Sequence, residues 1–297
     1  MKYIVTGGAG FIGNNIVRQL LKQKHTPIVI DSLYRGKIER ISSLGVEFHK
    51  VDIRDFNQLR DILKNSDGIF HEAALTDVQE SFTKQKEYHD VNVVGTENIF
   101  KLANEFGLKV VYASSSSIYG NPKTIPINEK NEQSPINPYG QTKLEDEFLA
   151  ERYTKLGVSI IGLRYFNVYG KGQTGSYAGV ITKFINNLKE KKPPVIFGDG
   201  TQIRDFVDVE DVALANISAM QSNVKNGFFN VGTGIATSIQ QLAKIMIGLS
   251  GLKLEIQYEK ALDGDVQSSQ ADTSLTESML KWKYSVGLKE GLAKFFI

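Results

Sequence analysis

The feature that most constrains the fold is a glycine-rich turn, TGGAGFIG, at residues 6–13. It follows the apolar run Tyr3–Thr6 and opens an amphipathic stretch that carries Ile12, Ile16 and Leu20. Glycines at 7 or 8, 10 and 13 permit a tight strand-to-helix turn and close approach of the backbone to a pyrophosphate. The helix N-terminus would present free N–H groups and its positive dipole end to that anion. The turn therefore predicts a dinucleotide site.

Apolar runs recur along the first half of the chain. They are rich in Val and Ile and lack the alternation of half-exposed strands, which indicates strands buried on both faces. Amphipathic helical stretches separate them. This alternation predicts an α/β protein with a doubly wound parallel (Rossmann) sheet, because parallel strands need crossover connections. The further predicted strands are Pro27–Asp31, Val46–Asp52, Gly68–Phe70, Leu108–Ser114 and Ser159–Tyr165.

Acidic residues at the ends of two predicted strands are candidate contacts of the dinucleotide. Asp31 ends the second predicted strand, where a carboxylate accepts the hydroxyls of an adenosine ribose and repels a 2′-phosphate. This favours NAD over NADP. Arg35 is a small counter-argument, which we interpret as a loop arginine in water. Asp52 ends the third predicted strand, where it either reaches the adenine edge or is only a loop acid.

The alternation loosens after Tyr165, which predicts a second lobe. A glycine-rich stretch, Tyr169–Gly179, is followed by helical patterns at Val209–Met220 and Ser238–Ser250, the latter opening with a capping box. The strand Phe228–Val231 is expected to return to the first sheet. We predict a dinucleotide-binding domain at 1–166, joined by parts of 205–231, and a smaller, discontinuous α/β lobe within 167–297.

Composition excludes several classes of protein. The 35 Lys and Arg nearly balance the 33 Asp and Glu, which argues against nucleic acid as the main partner. The absence of cysteine excludes disulfides, thiolate metal sites and a cysteine nucleophile. No apolar run approaches ~18 residues, and the N-terminus has no signal-peptide pattern. We therefore expect a cytoplasmic protein without a membrane segment.

The histidines and acids give no metal pattern. After His71-Glu72, Leu75 occupies the place of the second histidine in a zinc motif. Asp263 and Asp265 lack the rest of a calcium loop. We predict no metal.

Tyr139 and Lys143 lie four residues apart at a predicted helix start, so both occupy one helical face. An ammonium close to a phenol lowers the pKa of the phenol, which allows general-base chemistry near neutral pH. Ser114–Ser117 end the fifth predicted strand, where ligands bind in open α/β sheets. Hydroxyls there can orient a substrate hydroxyl and share its proton.

Together these features resemble the extended short-chain dehydrogenase/reductase family, most closely its NAD-dependent nucleotide-sugar epimerases and dehydratases. The resemblance covers almost the whole chain. Its other motifs are His71–Ala74, Val91–Thr96, Leu163–Gly170 and Phe197–Asp211.

The resemblance implies roles for individual residues. Ser115, Tyr139 and Lys143 would be catalytic. Asn167 and Arg204 would hold the diphosphate of a nucleotide sugar. The substrate site would comprise Ser115, Ser116, Tyr139, Asn167, Val195, Phe197 and Arg204, with Val195 and Phe197 on the strand that carries the pyrimidine. NAD would be lined by Gly7, Gly10, Phe11, Ile12, Gly13, Asp31, Ser32, Asp52, Ile53, Ala73, Ala74, Asn92, Tyr139, Lys143 and Tyr165.

The implied reaction is NAD-dependent 4-epimerisation of UDP-glucose and UDP-galactose through a transient 4-keto sugar. Related dehydratases and decarboxylases carry acids after the catalytic serine, whereas this chain has Ser116 and Ser117. One alternative is the same chemistry on a UDP-N-acetylhexosamine or UDP-hexuronic acid, depending on the pocket around Ser176–Val180. A net reductase and a non-catalytic NAD-binding sensor are further alternatives; the intact catalytic trio disfavours the sensor.

Two further points come from the resemblance. Family members commonly form homodimers through the helices that here contain Tyr88–Phe106 and Tyr139–Leu156. Leu262 stands where members usually carry an arginine on the diphosphate, and Lys260 is a candidate replacement.

Overall fold

A seven-stranded parallel sheet forms the centre of the protein in the computed structural model, which describes residues 1–173, 179–261 and 266–296. The sheet order is β11-β6-β5-β4-β1-β2-β3, and every neighbouring pair is parallel. The strands are β1 Lys2–Thr6, β2 Thr26–Ile30, β3 Glu47–His49, β4 Gly68–His71, β5 Lys109–Ser115, β6 Ile160–Tyr165, β7 Asn167–Tyr169, β8 Val195–Phe197, β9 Ile203–Arg204, β10 Phe206–Asp208, β11 Gly227–Val231, β12 Thr237–Ser238 and β13 Gln257–Glu259.

Helices cover both faces of this sheet, which confirms the predicted doubly wound α/β fold. Within the described ranges, no helix combines the length and apolar character needed to cross a bilayer. The α-helices are α1 Phe11–Lys22, α2 Phe56–Leu63, α3 Val78–Thr83, α4 Gln85–Tyr88, α5 Gly95–Phe106, α6 Pro138–Lys155, α7 Val180–Lys189, α8 Val209–Gln221, α9 Ile239–Ser250, α10 Ser274–Leu280 and α11 Leu288–Ala293.

The strand order reverses between β1 and β4. The chain moves from β1 outward to β2 and β3, then crosses back to β4 on the other side of β1. Ligands of open α/β sheets bind at such a switch point, outside the carboxyl ends of the strands. The glycine turn follows β1, and Glu72 follows β4, so both lie at this crevice.

Two apolar layers hold the sheet between its helices. On one face Val5, Phe70 and Leu163 pack with residues of α1 and α8. On the other face Ile4 and Val110 pack with residues of α2, α5 and α6. The strands are therefore apolar on both sides, which explains their continuous rather than alternating pattern.

Outside the main sheet, smaller elements pack around a separate apolar cluster that includes Phe184, Ile196 and Met246. Strand β7 pairs with β10, β9 with β12, and β8 with β13. The predicted capping box at the start of α9 is present, with Ser238 and Gln241 exchanging hydrogen bonds. The predicted return of a strand to the first sheet is confirmed, since β11 pairs with β6. The division into lobes at 166/167 stays a prediction.

Two predicted elements differ from the structure. Strand β3 ends at His49, not Asp52, because its partner β2 ends at Ile30, opposite His49. The helix predicted at 88–106 is α4 and α5 joined by a π-helix, His89–Val94. Wider turns of this kind occur mostly as local bulges and often at functional sites.

Close backbone contacts at the glycine turn fix the direction of α1 relative to β1. A Cβ added at Gly13 would lie 2.3 Å from the Gly7 carbonyl oxygen. One added at Gly7, which has a φ of +67°, would lie 2.8 Å from the Ala73 backbone nitrogen. Real Cβ atoms do not approach backbone this closely, so any side chain at Gly13 must displace the turn.

This contact predicts opposite effects for two glycine-to-alanine changes within helices. Gly13→Ala should lower the free energy of unfolding by about 1–3 kcal/mol, because overpacking forces the backbone to shift. Gly248→Ala is the control, since nothing lies within 4 Å of its added Cβ, and it should raise stability by up to about 1 kcal/mol. Urea unfolding measures both. Equal effects of the two changes would refute the close-contact argument.

Candidate active site

The N-terminus of α6 carries Tyr139, and a proline, a helix cap and a hydrogen bond to α3 fix its position. Pro138 is the first helical residue, and the side chain of Asn137 caps the helix by accepting the Gly140 N–H at 2.8 Å. Proline and asparagine suit these positions because one lacks an N–H and the other supplies an acceptor. The Tyr139 N–H is 3.2 Å from the Ser81 hydroxyl of α3. The start of α6 is thereby joined to α3, which follows the loop after β4.

The first turn of α6 lies directly against the serine run. A Cβ at Gly140 would lie 2.7 Å from the Ser117 carbonyl oxygen, so this approach needs glycine. Ser115 is the last residue of β5, and its Oγ accepts the Ser117 N–H at 3.1 Å. The structure therefore brings the predicted catalytic Ser115 and Tyr139 to neighbouring segments.

The four serines have different contacts. The Ser114 hydroxyl donates to Glu147 Oε1 at 2.6 Å, inside the protein. Ser116 and Ser117 begin the 3₁₀ turn Ser116–Tyr119 and line the cavity described below. Ser114 therefore fastens β5 to α6, whereas Ser116 and Ser117 form part of the surface of the site.

Lys143 is buried and paired with Asp146. Its Nζ lies 3.0 Å from Asp146 Oδ2, and both side chains are almost fully inaccessible. Burial lowers the pKa of the ammonium, but the charges of Asp146 and Tyr139 outweigh it and leave the pKa raised. Lys143 is thus held as a cation close enough to Tyr139 for their charges to interact. The sequence analysis did not identify Asp146 as a partner of Lys143, although a spacing of three residues on a helix indicates that the two side chains are neighbours.

Glu72, which follows β4 directly, places a partly buried carboxyl at the switch-point crevice. Burial raises the pKa of Glu72 to about 8, and Tyr165 and Lys143 oppose the shift only in part. The Tyr165 hydroxyl donates to Glu72 Oε1 at 3.0 Å and accepts from Asn216 Nδ2 at 2.7 Å. Tyr165, predicted at the cofactor site, is therefore fixed by one side chain directly after β4 and one from α8.

His71 is a buried structural histidine. Its ring nitrogens lie 2.7 Å from the Thr6 hydroxyl and 2.9 Å from the Thr96 hydroxyl. Burial, together with the positive charge of Lys143, lowers its pKa to about 3, so the ring is neutral. Both nitrogens are used within the protein, which agrees with rejecting the zinc interpretation.

The glycine turn fits a pyrophosphate. Helix α1 begins at Phe11, and among the described residues no side chain caps it at Gly10. The free N–H groups of the first turn suit an anion. Asp31 follows β2 directly, buried, and accepts N–H groups from Ala9 at 3.0 Å and Leu33 at 2.8 Å. Its oxygens have further acceptor capacity for ribose hydroxyls, so the residues present fit NAD.

Two residues predicted near the cofactor, Arg35 and Asp52, make contacts that refine the expectation. Arg35 is not in water but forms a half-buried ion pair with Glu80 of α3. Asp52 lies in the loop beyond β3, where its carboxylate binds Arg54 at 2.7 and 2.9 Å. The loop-acid interpretation of Asp52 accounts for these contacts.

Asn92, predicted to line the cofactor, uses its amide within the protein. Its Oδ1 accepts the Leu75 N–H at 2.8 Å, and its Nδ2 donates to the Leu75 carbonyl and the Thr142 hydroxyl, each at 3.0 Å. It fastens the loop after β4 to α6. The other predicted cofactor residues lie at the start of α1, after β2, after β3 and in the loop after β4: Phe11, Ile12, Ser32, Ile53, Ala73 and Ala74.

A cavity of about 340 Å³ opens between the serine run, α7 and β8. Ser115 and Tyr139 are not in its wall, but their neighbours Ser116 and Asn137 are. Sequence reasoning missed Val78, Gln79 and Lys183, which no local motif marks. The predicted substrate residues in the wall are Ser116, Asn167, Val195, Phe197 and Arg204.

Two sequence expectations fall outside the described residues: the departure at Leu262, and most of the pocket segment Ser176–Val180. Of that segment, Gly179 and Val180 line the cavity. Lys260, the candidate replacement cation, is exposed and not in the cavity wall.

Known proteins resemble this chain over its full length. A putative UDP-glucose 4-epimerase of Methanocaldococcus jannaschii is 39% identical over 98% of this chain and 96% of its own. The structure of the Thermotoga maritima UDP-glucose 4-epimerase with UDP-glucose matches with a TM-score of 0.96 and 33% identity, covering 100% and 97% of the two chains. A UDP-N-acetylglucosamine 4-epimerase from Methanobrevibacter ruminantium, in complex with UDP-N-acetylmuramic acid, matches with a TM-score of 0.95 and 32% identity over 99% and 96%.

The parallel sheet, the glycine turn and the Tyr139–Lys143 pair define an enzyme of the extended short-chain dehydrogenase/reductase class. The model of the NAD dependent epimerase/dehydratase family matches residues 3–232. The chain belongs to this family. Its cofactor is NAD, and its enzyme class is that of the epimerases, which are isomerases.

The buried Lys143–Asp146 pair predicts a large effect of removing one partner. Asp146→Asn should lower the free energy of unfolding by about 3–5 kcal/mol, because it leaves a buried ammonium without its counter-ion. The exposed Glu151→Gln on the same helix is the control and should change stability by less than about 0.5 kcal/mol. Urea denaturation compares them. An Asp146→Asn protein as stable as the control would contradict the pairing.

Proposed function

We propose that the protein is an NAD-dependent 4-epimerase that interconverts UDP-glucose and UDP-galactose. The observation that carries this proposal is the packing of the N-terminal end of α6, which carries Tyr139 and Lys143, against the serine run at the end of β5. Ser114–Ser117 offer hydroxyls and no carboxylate at this place. When bound, NAD supplies reversible hydride transfer at C4 of the sugar.

Tyr139 acts as the general base that removes the proton of the sugar 4-hydroxyl. The ammonium of Lys143, kept charged by Asp146, stabilises the phenolate that this role requires. Ser115 orients the 4-hydroxyl and shares its proton. Its Oγ is fixed by the Ser117 N–H and has its own proton to donate.

Ser116 and Ser117 favour epimerisation over elimination. They occupy the cavity wall next to Ser115, where an acid–base pair would stand in a dehydratase. A hydroxyl does not replace a carboxyl as general acid, so elimination lacks its catalyst. The 4-keto sugar therefore persists until it regains hydrogen at C4.

Inversion requires the keto sugar to turn while the rest of the substrate stays bound. Asn167 and Arg204 hold the diphosphate, since a guanidinium matches phosphate oxygens. Val195 and Phe197 of β8 hold the pyrimidine. Return of hydrogen on the other face of the hexose then gives the epimer and restores the bound cofactor.

The same chemistry on a UDP-N-acetylhexosamine or UDP-hexuronic acid is the second candidate. The likeness to a UDP-N-acetylglucosamine 4-epimerase over almost the whole chain favours it. We also propose a cytoplasmic location, where NAD and nucleotide sugars are supplied.

A panel of UDP-sugars tests the proposal. Purified protein should interconvert UDP-glucose and UDP-galactose without added reductant, with NAD co-purifying. Tyr139→Phe should lower kcat by about 10²–10⁴-fold, because it removes the general base, whereas the exposed Tyr34→Phe should not. Product identity by chromatography gives the readout.

Any other outcome contradicts the proposal, and each such outcome indicates a different explanation. Turnover of a different UDP-sugar alone indicates the second candidate. A requirement for added reductant with net product indicates a reductase. Bound NAD without any turnover indicates a sensor, and full activity of Tyr139→Phe refutes the mechanism.

We further propose that the protein forms a homodimer through α5 and α6. Large apolar side chains are exposed along these helices: Phe148 is 57% exposed, Leu156 after α6 is 62% exposed, and Val94 before α5 is 39% exposed. Burial of such surface between two copies is favourable.

Phe148→Glu should convert this dimer to a monomer, because it places a charge in the apolar contact. Met279→Glu changes an exposed apolar residue of α10 and should leave the dimer intact. Sedimentation velocity measures the mass of each variant. A monomeric wild-type protein, or a Phe148→Glu dimer, would contradict the proposed contact.

A further inference from the structure

Within the described part of the cavity wall, the charged side chains are cationic. Lys183 and Arg204 line it, and no carboxylate stands in the part of the wall that the structure describes. Arg204 is buried, and its Nη1 donates to the Ile203 carbonyl at 2.9 Å. A cavity with one sign of charge attracts the opposite sign. Its occupant is therefore expected to be an anion.

Of these two cations, the sequence analysis predicted Arg204 in the substrate site but not Lys183. It lies in the second turn of α7, and its Nζ is 5.8 Å from the centre of the Phe197 ring in β8. A cation–π contact at an accessible position is weak and leaves the ammonium its three N–H donors. Among the described residues, Lys183 forms no ion pair with a carboxylate. The ammonium is thus positioned at the cavity but not neutralised.

The residues around Lys183 indicate which part of a ligand its ammonium contacts. Phe197 belongs to the strand proposed to hold the pyrimidine, whereas the hexose is expected near Ser115 and Tyr139. An ammonium over Phe197 therefore lies at the nucleotide part of the substrate. The charged groups there are the phosphates, and two cations in the wall match the charge of a diphosphate.

We propose that Lys183 is a specificity-determining residue that binds the diphosphate of the UDP-sugar together with Arg204. This inference rests on the proposed function for the identity of the nucleotide. Lys183 acts on a part of the substrate that does not react, so it binds ground state and transition state equally. Such binding lowers KM and leaves kcat unchanged.

The test uses Lys183→Met, which keeps the apolar stem against Phe197 and removes the charge, and Lys183→Arg, which keeps the charge. Lys189→Met, at the exposed end of the same helix, is the control. Isothermal calorimetry of the NAD-loaded protein measures affinity for UDP and for uridine, and steady-state kinetics give KM and kcat. Thermal unfolding confirms that the variants fold.

We expect Lys183→Met to weaken UDP binding and to raise KM by about 5- to 30-fold, with uridine affinity and kcat unchanged. The dependence of UDP affinity on salt should also fall, because one charge contact is lost. Lys183→Arg should retain most of the affinity, and Lys189→Met all of it. Equal losses for UDP and uridine would overturn the inference, because they would assign Lys183 to base packing.

The proposed function and the proposed role of Lys183 can be refuted independently of each other. Normal turnover with unchanged UDP affinity in Lys183→Met overturns this inference and leaves the proposed function intact. Weakened UDP binding in Lys183→Met, with no turnover of any UDP-sugar by the wild-type protein, overturns the function and leaves the inference. A wild-type protein that binds no UDP overturns the inference as well.

Discussion

The buried ion pair between Arg164 and Glu147 fastens the helix of the active site to the sheet. Two hydrogen bonds of 2.9 and 2.7 Å join the guanidinium of β6 to the carboxylate of α6, and both side chains are almost fully inaccessible. The same groups bind Ser114 of β5 and Tyr119 of the following turn, at 2.6 and 2.7 Å. Loss of one partner from such a pair costs about 3–5 kcal/mol, because the other charge is left uncompensated. The relative position of Ser115 and Tyr139 therefore depends on an interaction that itself touches no substrate.

The topology of the sheet brings the other half of the site together. Reversal of strand order between β1 and β4 leaves a crevice at their carboxyl ends. The glycine turn after β1 packs on the backbone of Ala73 after β4, and Asn92 ties the same loop to α6. The cofactor turn and the catalytic helix are thus connected through one short loop.

Much of the fold and part of the site could be predicted from local patterns. The glycine spacing, the apolar runs and the capping box at Ser238 each involve neighbouring residues, so the sequence displays them directly. The strand end predicted at Asp52 was wrong because pairing of β3 stops where its partner β2 stops. The predicted helix at 88–106 is helical throughout, but His89–Val94 form a π-helix that the periodicity did not indicate. Arg35 was expected in water because Glu80, its partner, lies 45 positions away along the chain. None of these errors could be seen locally.

The sequence by itself determined the class of fold, the dinucleotide turn, and the residue types at the proposed catalytic positions. These follow from backbone sterics, helical periodicity and intrinsic side-chain chemistry, which act over a few residues. Only the tertiary structure decided that Asp146 stabilises the charged form of Lys143 inside the protein and that Tyr165 holds the partly buried Glu72 carboxyl. It also decided that Lys183 faces a cavity whose described wall contains no carboxylate. Charge state and affinity depend on burial and on partners from distant segments, and those are set when the chain is folded.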